Sequence, residues 1–188
     1  MGRLLSSTSF FFAVAHANDS FLPHRARGGS AYRDHLSRVS GSAPKKQAEA
    51  AIARFWEHPL DNNNASSEVF KSKYYVDTSN YREGGPSFIY IGGEGPMAGP
   101  ASGLITNLAS DHGAKIYSLE HRFYGDSLPE HSVDIALSVE YLKFHTVEQS
   151  LADLAKFIQV NTAGEEWFAV GGSYPGALSS KATPTPNR

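Results

Sequence analysis

Val170-Gly171-Gly172-Ser173-Tyr174-Pro175-Gly176-Ala177-Leu178 is the stretch whose reading decides the fold. Just before it, Trp167-Phe168-Ala169-Val170 is a short run of aromatic and apolar residues, the pattern of a buried strand. A strand that bends sharply into a helix, with a serine at the bend, lifts that hydroxyl above the sheet as a nucleophile elbow. Such a bend strains the backbone at the serine, so the residues around it should be small. Gly171 and Gly172 precede Ser173, and Gly176 would let the following helix pack close to the strand. Pro175 stands where the G-x-S-x-G pattern has its second glycine, so the strict pattern is missed by one position. Gly-Gly-Ser also makes plain strand-to-helix turns, and context must decide.

Working outward, the chain alternates strand and helix. Ser87-Phe88-Ile89-Tyr90-Ile91 and Ala114-Lys115-Ile116-Tyr117-Ser118-Leu119 read as buried strands, and Tyr74-Tyr75-Val76 as a further one. Ala101 to Ser110 reads as a helix with Leu104, Ile105 and Leu108 on one face. Thr146 to Val160 is a stronger helix, with Thr146 and Gln149 as a capping box and Val147, Leu151, Leu154, Ala155 and Ile158 as its apolar stripe. A helix is also expected from Gln47, because Ala48, Ala51, Ile52, Phe55 and Trp56 fall on one helical face before Pro59 ends it. Strand, crossover helix and strand repeated in this way predict a doubly wound, mostly parallel α/β sheet.

Ile91-Gly92-Gly93-Glu94-Gly95-Pro96-Met97 follows the Ser87–Ile91 strand. A loop in this place can donate a backbone N–H to an oxyanion hole, the other donor being the residue after the nucleophile, Tyr174. A glycine-rich turn before a helix can also hold a phosphate, although this one lacks the lysine and spacing of a P-loop. A carboxylate beside an oxyanion hole would oppose the developing charge, so Glu94 should point away, towards hydrogen-bond partners or a substrate amine.

Between the two loops lies Glu120-His121-Arg122-Phe123-Tyr124-Gly125-Asp126-Ser127-Leu128-Pro129. With Phe70 to Val76, the IGGEGP segment, Leu142 to Ile158 and GGSYPGAL, it resembles the family of serine exopeptidases containing lysosomal Pro-X carboxypeptidase, dipeptidyl-peptidase II and thymus-specific serine protease. The resemblance runs from Phe55 to Leu178, about two thirds of the chain. It implies an α/β-hydrolase fold, Ser173 as acyl-enzyme nucleophile, oxyanion donors at Tyr174 and in the Gly93-Glu94 region, and small peptides cleaved after proline. It implies no cofactor and no metal. Where relatives carry Gln and then Asp-His, this chain has His58 and Asn62, to which no role is assigned.

In this fold the triad follows the order Ser, Asp, His along the chain. None of the fifteen residues after Ser173 is Asp, Glu or His. The expectation is therefore an N-terminal portion, with the C-terminal half of the fold missing and no activity of its own; removing triad members typically lowers rate by about 10⁶. His121 precedes Ser173 at a strand end, and its place in the HRFYG motif predicts a structural hydrogen-bonding role. From Ser179 the chain turns polar, and Pro184 and Pro186 bar further helix. A non-catalytic fragment or pseudoenzyme, and an esterase or lipase on the same fold, are the alternatives.

The expected organisation is a signal peptide over 1–17, a flexible leader or propeptide over 18–46, the peptidase portion over 47–178 and a divergent tail over 179–188. Arg3, the apolar run to Ala15 and Ala15-His16-Ala17 carry the signal-peptide pattern. This predicts the secretory pathway, with the exterior, lysosome or vacuole as destination. Asn64-Ala65-Ser66 is a glycosylation sequon that suits export, and Asn18-Asp19-Ser20 is a second one. A net charge of -2 offers no footprint for nucleic acid, and no apolar run reaches the ~20 residues that span a membrane, so neither partner is expected. The expected partner is a peptide substrate. Without cysteine, disulfides and thiolate chemistry are excluded from these residues.

Overall fold

A computed structural model describes residues 52–130 and 132–182. Five strands form one mixed sheet: β1 (Arg54–Pro59), β2 (Val69–Asp77), β3 (Ser87–Ile91), β4 (Lys115–Leu119) and β5 (Trp167–Val170), in the order β1-β2-β4-β3-β5. The helices are α1 (Leu104–His112), the single turns α2 (Val133–Ala136) and α3 (Val139–Leu142), α4 (Val147–Asn161) and α5 (Tyr174–Lys181). β3 runs parallel to both β4 and β5, whereas β1 and β2 join as antiparallel strands. The parallel strands end at one edge of the sheet, and both glycine-rich loops of the sequence leave from that edge, where ligands of open α/β sheets bind.

Burial explains why these segments became strands. β3 is buried at four of its five residues and β4 at four of five, as expected of strands covered on both faces. On one face Ile89, Ile91, Tyr117, Leu119, Trp167 and Ala169 pack against Leu154, Phe157 and Ile158 of α4 and Leu178 of α5. On the other, Phe88 and Ile116 meet Ile105 and Ala109 of α1. The α1 helix begins at Leu104, and Leu104 itself is exposed, so Ile105, Leu108 and Ala109 form the face that seats it.

The helix expected from Gln47 is corrected where it can be seen. Residues 47–51 lie outside the described residues, but Phe55 and Trp56 belong to β1, paired with Lys73 and Ser72 of β2. Their sides alternate as in a strand: Phe55 is 51% exposed, while Trp56 stacks on His58 at 4.1 Å and packs against the main core. A pattern counted over few residues fitted a helix, and pairing with β2 overrode it. The capping box is half made. Thr146 Oγ1 accepts the Gln149 N–H, but the Gln149 side chain reaches Asn62 and Asp61 instead of returning to the cap. The elbow helix α5 runs through Ser179 and Ser180 to Lys181, past the boundary expected at 179. The 1–17 and 18–46 segments and residues 183–188 of the tail lie outside the described residues.

Candidate active site

Ser173 sits between β5 and α5, exposed, with φ 56° and ψ -129°. That left-handed backbone is costly for a residue with a Cβ and is the strain an elbow imposes. Only Phe123 shares a positive φ among the described non-glycine residues. Two glycines make the bend possible. A Cβ added at Gly171 would lie 2.5 Å from the Pro175 carbonyl carbon and oxygen, and one at Gly176 would lie 3.1 Å from the Gly171 oxygen. Strand end and helix start therefore touch backbone to backbone. Gly172 differs from the expectation, since an added Cβ there meets nothing within 4 Å. Its small size is not required by packing.

Pro175 is buried at the second position of α5, in the first turn, where a missing N–H breaks no helical bond. This is why proline can replace the usual glycine. Leu178 is fully buried and Ser179 nearly so, which anchors α5 to the sheet. The Tyr174 N–H lies in the first turn of that helix, where backbone donors have no intrahelical acceptor.

Gly93 faces the elbow, for a Cβ placed on it would lie 3.9 Å from Pro175 Cγ. The glycine that the packing demands is its neighbour Gly92, whose Cβ would press to 2.9 Å against the Leu119 oxygen and Met97. Glu94 is exposed and forms no hydrogen bond among the described residues. Burial raises the hydroxyl pKa of Tyr124 and of Tyr174, and the Glu94 charge adds to both. An open depression of about 330 Å³ reaches the elbow at Gly171 and Gly172, and another of about 320 Å³ is lined by the loop from Gly92 to Ala101; Tyr90 and Ser102 line both.

The loops are held from below by buried charge. Glu120 is 1% exposed; its Oε1 accepts the Met97 N–H at 2.7 Å, and its Oε2 accepts the Ser127 hydroxyl at 2.6 Å and the Asp126 N–H at 3.0 Å. Lys73 Nζ stands 3.1 Å from Glu120 and 2.7 Å from Asp126. Burial would lower the Lys73 pKa, but bonds to Asp126 and Glu120 outweigh it and hold the pKa above its ordinary value. A Cβ at Gly125, where φ is 57°, would strike the Glu120 carboxylate, so glycine is obligatory there. One carboxylate thus fixes both the HRFYGDSLP loop and the loop carrying Gly93.

A second buried centre lies behind the first. Arg122 donates through Nε and Nη2 to the two oxygens of Asp153, at 2.6 and 2.7 Å, and through Nη1 to the carbonyls of Leu60 and Phe144. Asn62 Nδ2 adds a bond to Asp153 at 2.7 Å. His58 Nδ1 lies 3.1 Å from the same carboxylate, but off the line of a good hydrogen bond, while its Nε2 pairs with Ser72 Oγ at 2.8 Å. Burial alone would raise the Asp153 pKa; the contacts from His58 and Arg122 more than reverse this and hold it below the usual carboxylate range. His121 is buried, with Nδ1 donating to the Arg122 carbonyl at 2.7 Å and Nε2 3.1 Å from Ser150 Oγ. Burial lowers its pKa. Both nitrogens are engaged, as the structural reading of His121 expected.

Glu120 and Arg122 stand in the sequence motif without a role of their own, and Asp153 carries no local signature of its own. One signal was present: Gln149, Ser150 and Asp153 interrupt the inward face of α4 with polar groups beside Leu154 and Phe157. Polar residues on a buried face require partners.

Residues 58–184 match the family described as serine carboxypeptidase S28, a span that contains both loops, both buried centres and the elbow. The chain belongs to that family. It is 39% identical over 138 residues to the thymus-specific serine protease of Mus musculus, covering 67% of this chain and 26% of that protein. It is 32% identical over 147 residues to the lysosomal Pro-X carboxypeptidase of the same species, covering 70% and 30%. A solved acylaminoacyl peptidase of Pyrococcus horikoshii superposes with a TM-score of 0.45 at 18% identity, over 71% of this chain and 21% of that one. The chain spans 26–32% of the length of the first curated relatives it matches. In this S28 chain the fold is that of an α/β hydrolase, and no helix among the described residues is long and apolar enough to cross a membrane.

Proposed function

We propose that this chain is the nucleophile-bearing portion of a serine exopeptidase, with Ser173 as nucleophile. The observation that carries the reading is the exposed, positive-φ serine between β5 and α5 in a member of the S28 family. Ser173 Oγ attacks the carbonyl carbon of the scissile bond and gives its proton to a base. The carbonyl oxygen, now negative, takes hydrogen bonds from the Tyr174 N–H and from an N–H of the Gly93-Glu94 region. Collapse expels the amine with that proton and leaves an acyl-serine, which water then hydrolyses. The substrates are small peptides, with the bond after proline favoured; one mouse relative is named a lysosomal Pro-X carboxypeptidase. The signal-peptide pattern of residues 1–17 directs the protein into the secretory pathway, bound for the exterior, lysosome or vacuole.

No described histidine forms a hydrogen bond with Ser173, and none follows it in the sequence. In the chain order Ser, Asp, His of this fold, the base and its carboxylate would lie downstream of Ser173. A fluorophosphonate probe tests this. The 188-residue chain alone should stay unlabelled, whereas the chain extended by downstream sequence that supplies Asp and His should be labelled, with Ser173→Ala abolishing the label. Labelling that survives Ser173→Ala would remove Ser173 from its role.

A further inference from the structure

We propose that Asn64 is an N-glycosylated residue, modified in the secretory lumen at the tip of the β1–β2 connection. The inference rests on the export reading above and adds to it a covalent site. The connection is tied down through its backbone, the Asn64 N–H bonding to the Asp61 carbonyl and the Asn64 carbonyl accepting the Ser67 N–H, while the residues at its tip stay exposed. At the base, the Leu60 N–H bonds to the Glu68 carbonyl, the Asp61 N–H to Ser67 Oγ, and Asn62 is held by Gln149 and Asp153 of α4. Beyond these clamps, residues 63–66 are all exposed.

The two atoms that matter stand clear. Asn64 Oδ1 accepts the Ser66 N–H at 3.0 Å, which turns the side chain back over its own sequon. Asn64 Nδ2 has no hydrogen-bond partner among the described residues, and neither has Ser66 Oγ. Neighbouring asparagines show the contrast. Asn62 spends its Nδ2 on the buried Asp153, and Asn161 spends its own on the Phe157 carbonyl. Only Asn64 of these three also lies in an N-x-S/T triplet.

In the reaction, Asn64 Nδ2 attacks the anomeric carbon of a lipid-pyrophosphate-linked oligosaccharide. The new bond is carbon to nitrogen, the broken bond is carbon to pyrophosphate oxygen, the lipid pyrophosphate leaves and one amide proton is lost to the transferase. The folded chain tolerates the product. The connection joins β1 and β2, while the elbow lies at the other end of the strand order, after β5. A bulky, solubilising sugar at the tip displaces no core residue.

The experiment is translation of the full chain with endoplasmic-reticulum microsomes, followed by protease protection and glycosidase digestion. Asn18→Gln is placed in every chain to silence the other sequon. The expected result is a protected band carrying one glycan, collapsed by the glycosidase and absent in both Asn64→Gln and Ser66→Ala. Peptide mass after deglycosylation should show residue 64 converted to Asp. A protected chain without a glycan overturns the site while leaving export standing. A chain that is not protected overturns export and, with it, the modification.

Discussion

Two regions at the same edge of the sheet are built in opposite ways. At the elbow, Ser173 is exposed in a strained conformation, with Gly171 in close contact with Pro175 and Gly176 and the Ser173 carbonyl accepting the Ala177 N–H. Around Arg122, buried charges meet in a dense lattice: four of the five guanidinium donors are bonded, and one carboxylate gathers Arg122, Asn62 and His58. The first stores strain for chemistry; the second supplies the rigidity against which strain can persist. An active-site loop needs a support that does not move, and here that support is polar and enclosed.

The sharpest way to break this contrast is to remove the support. Asp153→Ala leaves the Arg122 guanidinium buried and unpaired, and such half-removed pairs cost about 3–5 kcal/mol. The urea midpoint should fall accordingly. Replacing Arg122 and Asp153 together by apolar residues of similar volume should lose much less, because the unpaired charge is then gone. If the single variant loses under about 1 kcal/mol, water reaches the site and the lattice is not a dry one.

The contrast also separates what a sequence displays from what it conceals. The elbow could be read because its determinants lie within six residues, Gly171 to Gly176, and obey local rules of strand, turn and helix. The parallel strands could be read because burial on both faces leaves continuous apolar runs. The lattice could not, since Asn62 and Asp153 are 91 positions apart and Arg122 and Asp153 are 31 apart. No local pattern announces such pairs. His58 and Asn62 stood out as departures from relatives, and their partners emerged only when β1 was placed beside β2 and below α4. β1 itself was misread because its few apolar residues satisfy either period, and only the partner strand chooses between them. Gly92, not Gly93, proved the constrained glycine, since the neighbour that constrains it is β4.

A smaller effect tests the opposite end of the parallel strands. Ser87, Lys115 and Glu165 clamp the starts of β3, β4 and the approach to β5, with bonds of 2.7 and 3.1 Å to the Glu165 carboxylate. Burial works against the charge, but bonds from Ser87, from backbone N–H groups and from Lys115 lower the Glu165 pKa to about 2. A carboxyl depressed in the fold stabilises it above its unfolded pKa, and this is lost as pH falls through 4.5 towards 2. Solvent screening at this part-exposed carboxylate holds the contribution to about 1–2 kcal/mol. His121 acts in the same direction at higher pH, since its lowered pKa makes the unfolded chain the better proton acceptor as pH drops below 6.5. Stability measured by urea titration should therefore decline in two stages on acidification. Glu165→Gln should shrink the lower stage, leaving the share that Asp153 contributes, and leave the upper one unchanged.

The smallest expected effect bears most directly on the elbow. Ser173 at φ 56° and ψ -129° occupies backbone that glycine enters without strain. Ser173→Gly removes a strain of about 1–3 kcal/mol and adds unfolded-chain entropy of about 0.5–1 kcal/mol, a net stabilisation of about 1 kcal/mol. Ser173→Ala keeps the Cβ and therefore the strain, and its exposed hydroxyl has little to lose, so its midpoint should stay within about 0.5 kcal/mol of the parent. The pair separates backbone from side chain. A rise in stability for glycine alone means that the fold holds its serine against a conformational preference, with the Arg122 lattice intact beneath it. Equal midpoints for both variants would mean that the bend is relaxed, and the division between a strained edge and a rigid support would lose its physical basis.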